Sequence, residues 1–253
     1  MQGFSVVFFA FWAMVSNLGA TLRLTVLPWL IVVAIVFSML ELTLGAGSRV
    51  FEVLELGSVL SMPSMLPVLV LSNFVAFIIG CWVGVSWHRH ILLREQTFGV
   101  LPRRNSEAFK DYFPAALKFA ALAFAILLMI NWLMIPLVSQ LGFEGGGGKI
   151  VSILINSLLV TLVLRLGLVL PAAAIGQPIS MEDSWDATRG YSGPVFAVAL
   201  FIVQLVDLTR MLHCRSIAEC LLHFIGNWAG MVLMLGALTV LYGVRIQGRR
   251  MIV

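Results

Sequence analysis

Six stretches of this chain stay mostly apolar for about 20 residues or more, the length a helix needs to cross about 30 Å of hydrocarbon. They run from about Leu24 to Gly45, from Met65 to Trp87, from Phe113 to Leu141, from Ile150 to Ile175, from Pro194 to about Leu212, and from Leu221 to Tyr242. Backbone amides find no water partner in lipid, so such stretches must be helices or strands of a closed barrel. A barrel needs short alternating runs, whereas Ala115–Ile130 is apolar but for Lys118 and shows no alternation. The pattern predicts an all-α polytopic bundle, a single integral membrane domain over residues 1–253 with six transmembrane helices and additional interfacial amphipathic helices.

The segments between the spans carry weaker signals. Residues 4–22 are apolar, yet only Arg23 separates them from the next run, and two crossing helices cannot reverse direction across so short a gap. Residues 1–23 are therefore expected to form an aromatic-rich helix lying in or dipping into the interface, anchored by Phe8, Phe9, Phe11 and Trp12. A seventh crossing is the alternative. Arg49 to Ser61 alternates charge with apolar residues, as a helix lying on the outer surface would. Gly145–Gly148 reads as a flexible connector. Ser180 followed by Asp183 is a helix-start signature, predicting a short helix from Met181 to about Thr188.

Composition excludes most other classes. The chain is 60% hydrophobic and 11% charged, with a mean hydropathy of +1.03, where a soluble domain carries about 25% charged residues. A water-soluble enzyme, a secreted disulfide scaffold and a disordered chain are all ruled out. The formal charge of +4 does not point to nucleic acid, because the basic residues flank apolar spans. Arg23, Arg89, Arg94, Arg103, Arg104, Lys110, Lys118, Arg189, Arg245, Arg249 and Arg250 fall on the side of both termini. Only Arg49, Lys149, Arg210 and Arg215 fall on the other. That bias predicts cytoplasmic termini.

Candidate chemistry is thin. There is no paired-His metalloprotease motif, no Gly-x-Ser-x-Gly elbow and no acidic pair within a span, so no catalytic residue, cofactor or metal is assigned and a non-enzymatic protein is expected. His213, Cys214, Cys220 and His223 gather at the last outer turn, with a spacing unlike that of zinc folds. Cys214 and Cys220 face the oxidising side, where free thiols and a disulfide both remain open. Cys81 reads as a small filler within the second span. Asp207 and Arg210 are spaced for a helical ion pair.

Arg165 is the one full charge well inside a span. Its guanidinium either snorkels to the headgroups or holds an anionic headgroup or substrate carboxylate. Arg89, Arg94, Arg103 and Arg104 are candidates for phospholipid contact, with Leu92, Leu93 and Leu101 dipping toward the acyl boundary. His88 and His90 read as solvated heads of an interfacial anchor. Asn73, Asn131, Asn156, Gln204 and Asn227 place one amide in each of the second to sixth spans. Interhelical hydrogen bonds would use them to fix register, and an outward-facing polar cavity would use them as lining. Gly80-x-x-x-Gly84 and Gly226-x-x-x-Gly230 offer smooth faces for helix contact, within one chain or between copies.

The stretch from Arg165 through Pro171 to Ala174, followed by Ser184-Trp185 and Thr188-Arg189-Gly190, resembles multi-pass inner-membrane proteins of alphaproteobacteria whose activity is uncharacterised. It resembles more distantly the membrane domain attached to some glycerophosphodiester phosphodiesterases, and His88–Glu95 is similar too. The resemblance implies a bacterial inner membrane and six helices with amphipathic segments, and brings no catalytic residues. The expected function is that of an accessory or scaffold protein contacting anionic lipids, other membrane proteins or itself. A transporter or channel for a small anionic or amphiphilic molecule is the alternative. Replacing Arg103 and Arg104 with Gln is expected to weaken retention of anionic lipid while orientation holds, since other basic residues remain in the loop. Unchanged lipid co-purification would leave those arginines a topological role alone.

Overall fold

The computed structural model describes residues 2–44, 66–95, 106–140, 146–210 and 217–249, and among them every regular element is a helix. The chain opens with α1 (Gln2–Ser16), α2 (Leu18–Thr21), a π-helical turn (Leu22–Val26) and α3 (Leu27–Leu44). Next come α4 (Leu66–Leu93), α5 (Ser106–Gln140) and α6 (Gly146–Leu166), then α7 (Val169–Ala174) and α8 (Met181–Ala187). Two long helices, α9 (Ser192–Arg210) and α10 (Ile217–Arg245), complete it. Six helical runs are long and apolar enough to cross a membrane: Leu18–Met39, Leu66–Leu93, Ser106–Ile130, Gly147–Ala174, Ser192–Thr209 and Leu221–Arg245. The protein is an all-α multi-pass membrane protein.

The helices overrun the apolar stretches, because backbone hydrogen bonding continues after hydropathy falls. α4 runs on to Leu93, so His88–Leu93 is helix rather than loop. α5 starts at Ser106 instead of Phe113, with Glu107, Lys110 and Asp111 exposed and Ala108 and Tyr112 buried. Those turns are amphipathic and hold the helix against the bundle beyond its apolar part. α6 starts inside the glycine run rather than after it. Residues 49–61 lie outside the described residues.

The N-terminal helix ends at Asn17, earlier than Arg23, which instead lies in the π-helical turn. The break orphans carbonyls of α1, and short polar side chains satisfy them. Ser16 Oγ donates to Trp12 O at 2.6 Å, Asn17 Nδ2 to Ala13 O at 3.0 Å and Thr21 Oγ1 to Met14 O at 2.9 Å. With 15 residues, α1 is about 22 Å long and falls short of the hydrocarbon thickness. It turns aside at Asn17 and packs against α9 and α10, with Val6 and Ala10 buried and the Ala10 carbonyl seated over Gly236. Its Phe8, Phe11 and Trp12 remain exposed.

The core gathers at the Arg-rich end, here called the basic end, where α4, α5, α7, α9 and α10 meet around fully buried Leu164, Leu168, Val195 and Leu241. Farther along, α5 exposes Phe124, Leu128 and Trp132, as lipid-facing surface would. A second cluster joins Leu24, Trp87 and Val232, and Trp228 Nε1 donates to Thr25 Oγ1 at 2.9 Å, tying α10 to the π-helical turn.

Gly226 and Gly230 mark the α9–α10 contact: a methyl at Gly226 would overlap Thr209, and one at Gly230 would lie 2.9 Å from Val206 Cγ2. Gly84 faces the Tyr112 ring, while nothing lies within 4 Å of the corresponding position at Gly80. These small faces thus serve contacts within the chain at Gly84, Gly226 and Gly230. Gly226→Ala is expected to destabilise the fold by about 1–3 kcal/mol through overpacking. Gly80→Ala should instead raise stability by up to about 1 kcal/mol through helix propensity. Thermal midpoints of both variants in one detergent check the contrast.

Candidate functional site

The fourth span is broken where it is most buried. Pro171 has no N–H to give, and its ring disfavours a carbonyl four residues earlier. The Gly167 carbonyl is taken instead by Leu170 N at 3.0 Å. Gly167 fits because a methyl there would lie 2.8 Å from Leu238 Cδ2 on α10. The freed Leu168 N–H donates to Ser184 Oγ at 3.2 Å, and that hydroxyl passes its own proton to Arg165 O at 2.6 Å. One side chain on α8 thus repairs both sides of the break. α7 then ends in a Schellman turn: Gln177 N reaches Ala172 O at 2.9 Å, Gly176 N reaches Ala173 O at 3.2 Å, and Gly176 adopts φ +74°.

α8 forms as its sequence predicts. Ser180 Oγ accepts from Asp183 N at 3.0 Å, while Ser180 N and Oγ both donate to Asp183 Oδ2, at 3.0 and 2.6 Å. These bonds, the hydroxyl's first, hold the Asp183 carboxyl below its ordinary range. The capping box therefore contributes stability above the ordinary carboxylate range and loses it as pH falls through the lowered value.

Arginines close the remaining helix ends. Arg89 Nη1 donates to Ala174 O at the end of α7 (3.0 Å), Arg245 Nε to Ala187 O at the end of α8 (2.7 Å), and Arg249 Nη2 to Leu92 O near the end of α4 (2.7 Å). Each places positive charge at the negative end of a helix. Arg89 also forms a two-pronged ion pair with Glu95, and Arg245 lies 5.0 Å from the Tyr191 ring centre. Arg165 leaves its span to stack on Trp185, its guanidinium carbon 3.4 Å from the ring centre. It also donates to Thr188 Oγ1 at 3.1 Å and Trp185 O at 3.3 Å. Its side chain is turned onto α8, and it lines neither of the two cavities described below.

His88 corrects the sequence reading: it is fully buried rather than a solvated anchor, as are Trp87 and Leu92. Thr239 Oγ1 gives its proton to Leu235 O at 2.7 Å, so at 2.9 Å it accepts from His88 Nδ1–H. Nδ1 therefore carries a proton, and Nε2 has no partner among the described residues. The burial was legible in the spacing, because Cys81, Val85, His88 and Leu92 share one helical face and all are buried. Thr239, Tyr112 and Tyr242, all buried here, carry no such sequence signal.

Two concavities lie on the bundle. A groove of about 550 Å³ runs between α1, the end of α4 and α10, bounded by Trp12, Asn17, Arg94, Val240, Gly243 and Arg249 among others. Its volume lies within the about 300–1,000 Å³ of small-molecule sites. A crevice of about 390 Å³ lies between α6, α9 and α10, bordered by Asn156, Asp207, Gly230 and Met234.

Two of the amides bond within their own helices. Asn156 and Asn227 bond the carbonyls of Ser152 and His223, four residues back in their own helices, instead of bridging helices. Gln204 is exposed, as is Asn73. Arg103, Arg104 and Cys214 lie outside the described residues, as do the side chains of Asn131, Arg210 and Cys220. Among the described residues no group of three or more His, Cys, Asp and Glu could hold a metal ion. Comparison with protein-family models, curated proteins and solved structures returns no match. Ser184→Ala is expected to destabilise by about 1–3 kcal/mol, since it strands the buried Leu168 N–H. A thermal midpoint equal to that of the parent would refute Ser184's role at the break.

Proposed function

We propose that this chain is a non-enzymatic accessory or scaffold protein of a bacterial inner membrane, with both termini cytoplasmic. It acts through anionic lipids and through membrane proteins, further copies of itself included, pressed against its surface. The observation that supports this reading is the pairing of a broad exposed apolar surface with a rigid basic rim. Exposed Phe8, Trp12, Phe124 and Trp132 meet hydrocarbon, while Arg165, Arg245 and Arg249 are held by helix ends or an aromatic ring. Guanidinium groups fixed in this way present a positive rim without the flexibility of free side chains, which suits headgroup phosphates. The resemblance of the Arg165–Ala174 and Ser184–Gly190 stretches to inner-membrane proteins falls on the segments that build this rim.

The alternative, a transporter or channel, draws on the crevice beside Asn156 and Asp207. Arg165, which would suggest an anionic cargo, does not line that crevice. Extraction of the full chain into polymer-bounded membrane discs tests the proposal. The expected result is enrichment of anionic lipid over the bulk membrane, with defined co-purifying chains or a homo-oligomer. A lone monomer surrounded by lipid of bulk composition would overturn it.

A further inference from the structure

We infer that the groove between α1, the end of α4 and α10 is a binding site for one anionic glycerophospholipid of the adjoining leaflet. The inference rests on the reading that the protein contacts anionic lipid, and adds the place, the headgroup contacts and the acyl wall. The groove is two-sided: Phe9, Trp12, Val240 and Val244 furnish apolar walls, while Ser16, Asn17, His90, Arg94 and Arg249 supply polar groups. A soluble anion would use only the second set, and a plain hydrocarbon only the first. A phospholipid uses both.

The charge of the groove is positive once internal pairing is counted. Glu95 is engaged by Arg89 through two hydrogen bonds and an ion pair. His90 is oriented by its Nδ1–H, which donates to the Glu95 backbone carbonyl at 2.8 Å. Arg249 gives one N–H to Leu92 O and keeps its other donors. Arg94 is exposed and makes no hydrogen bond or ion pair among the described residues. Its backbone sits at φ +54°, a left-handed conformation that glycine and asparagine adopt more easily. A long cationic side chain thus stands where the backbone favours a small residue, an unusual backbone of the kind found at functional positions.

Gly243 keeps the floor open. A methyl there would make only ordinary contacts, 3.7 Å from Arg249 Cδ and 3.8 Å from Leu92 Cδ2, whereas a longer side chain would enter the groove. Across from it, Trp12 stacks on Phe8 with ring centres 6.1 Å apart and planes 13° from parallel, a flat surface on which an acyl chain can lie.

The test uses the full chain in mild detergent, titrated with palmitoyl-oleoyl phosphatidylglycerol or the matching phosphatidylcholine, with bound lipid counted by native mass spectrometry. One phosphatidylglycerol is expected to be retained about tenfold more tightly than phosphatidylcholine, given two arginines at the headgroup. Arg94→Asn, which suits the left-handed backbone, should lower phosphatidylglycerol affinity about fivefold and leave phosphatidylcholine unchanged. Gly243→Leu should weaken both lipids, and glycerol phosphate should not displace either. Phosphatidylglycerol binding unaltered in both variants would overturn the groove while leaving the lipid-contact reading intact. No preference in the parent chain would overturn both. Displacement by glycerol phosphate would make the site one for soluble anions. Should Gly243→Leu fail to fold by circular dichroism, Arg94→Asn decides alone.

Discussion

Everything at the basic end depends on one constraint, that a helix interrupted inside a membrane must still satisfy its backbone. Pro171 forces the interruption, and Gly167 lets it happen close to α10. The Ser184 hydroxyl then serves a donor and an acceptor on opposite sides of the gap. That single group requires α8 to lie against α6, which in turn brings Trp185 beneath Arg165 and Thr188 within reach of its Nε. Burial of α7, where Ala172 and Ala174 are wholly inaccessible, follows from the same arrangement. A polar repair inside the bundle organises the apolar packing around it.

Much of this was legible in the sequence, and the limits are physical. The spans declared themselves because hydrocarbon thickness sets a length that few other demands imitate. Ser180 and Asp183 announced α8 because a capping box is a local device, complete within four residues. The helix ends were not legible, since hydropathy reports where lipid stops and α4 and α5 continue past that point on buried contacts of His88, Leu92, Ala108 and Tyr112. Arg165 was visible as an intramembrane charge, but its partner lies 20 residues away on another helix, and no local pattern encodes that distance. The amides misled for the opposite reason. An Asn in a span can bond a carbonyl one turn back, as Asn156 and Asn227 do, without any second helix.

The basic residues divide into two populations that composition cannot separate. Arg89, Arg245 and Arg249 sit on helix C-termini, where they meet the negative end of the macrodipole. Arg94 stands apart from them at the lip of the groove. A charge bias that sets topology thus also staples helix ends, and a loop-by-loop count weighs both kinds alike.

The origin of the arginines bears on how the molecule is made. α4 is synthesised before α10, yet Arg245 and Arg249, which close the ends of α8 and α4, both come from α10 and the tail behind it. So do Trp228, the donor to Thr25, and Thr239, the acceptor for His88. Until α10 is in place, the ends of α4 and α8 lack these caps and His88 lacks its hydroxyl partner. Insertion and consolidation are separable stages for helical membrane proteins in general. α10 acts as the clasp, and a nascent protein halted before it lacks Thr239, Arg245 and Arg249, the groups that lock the basic end.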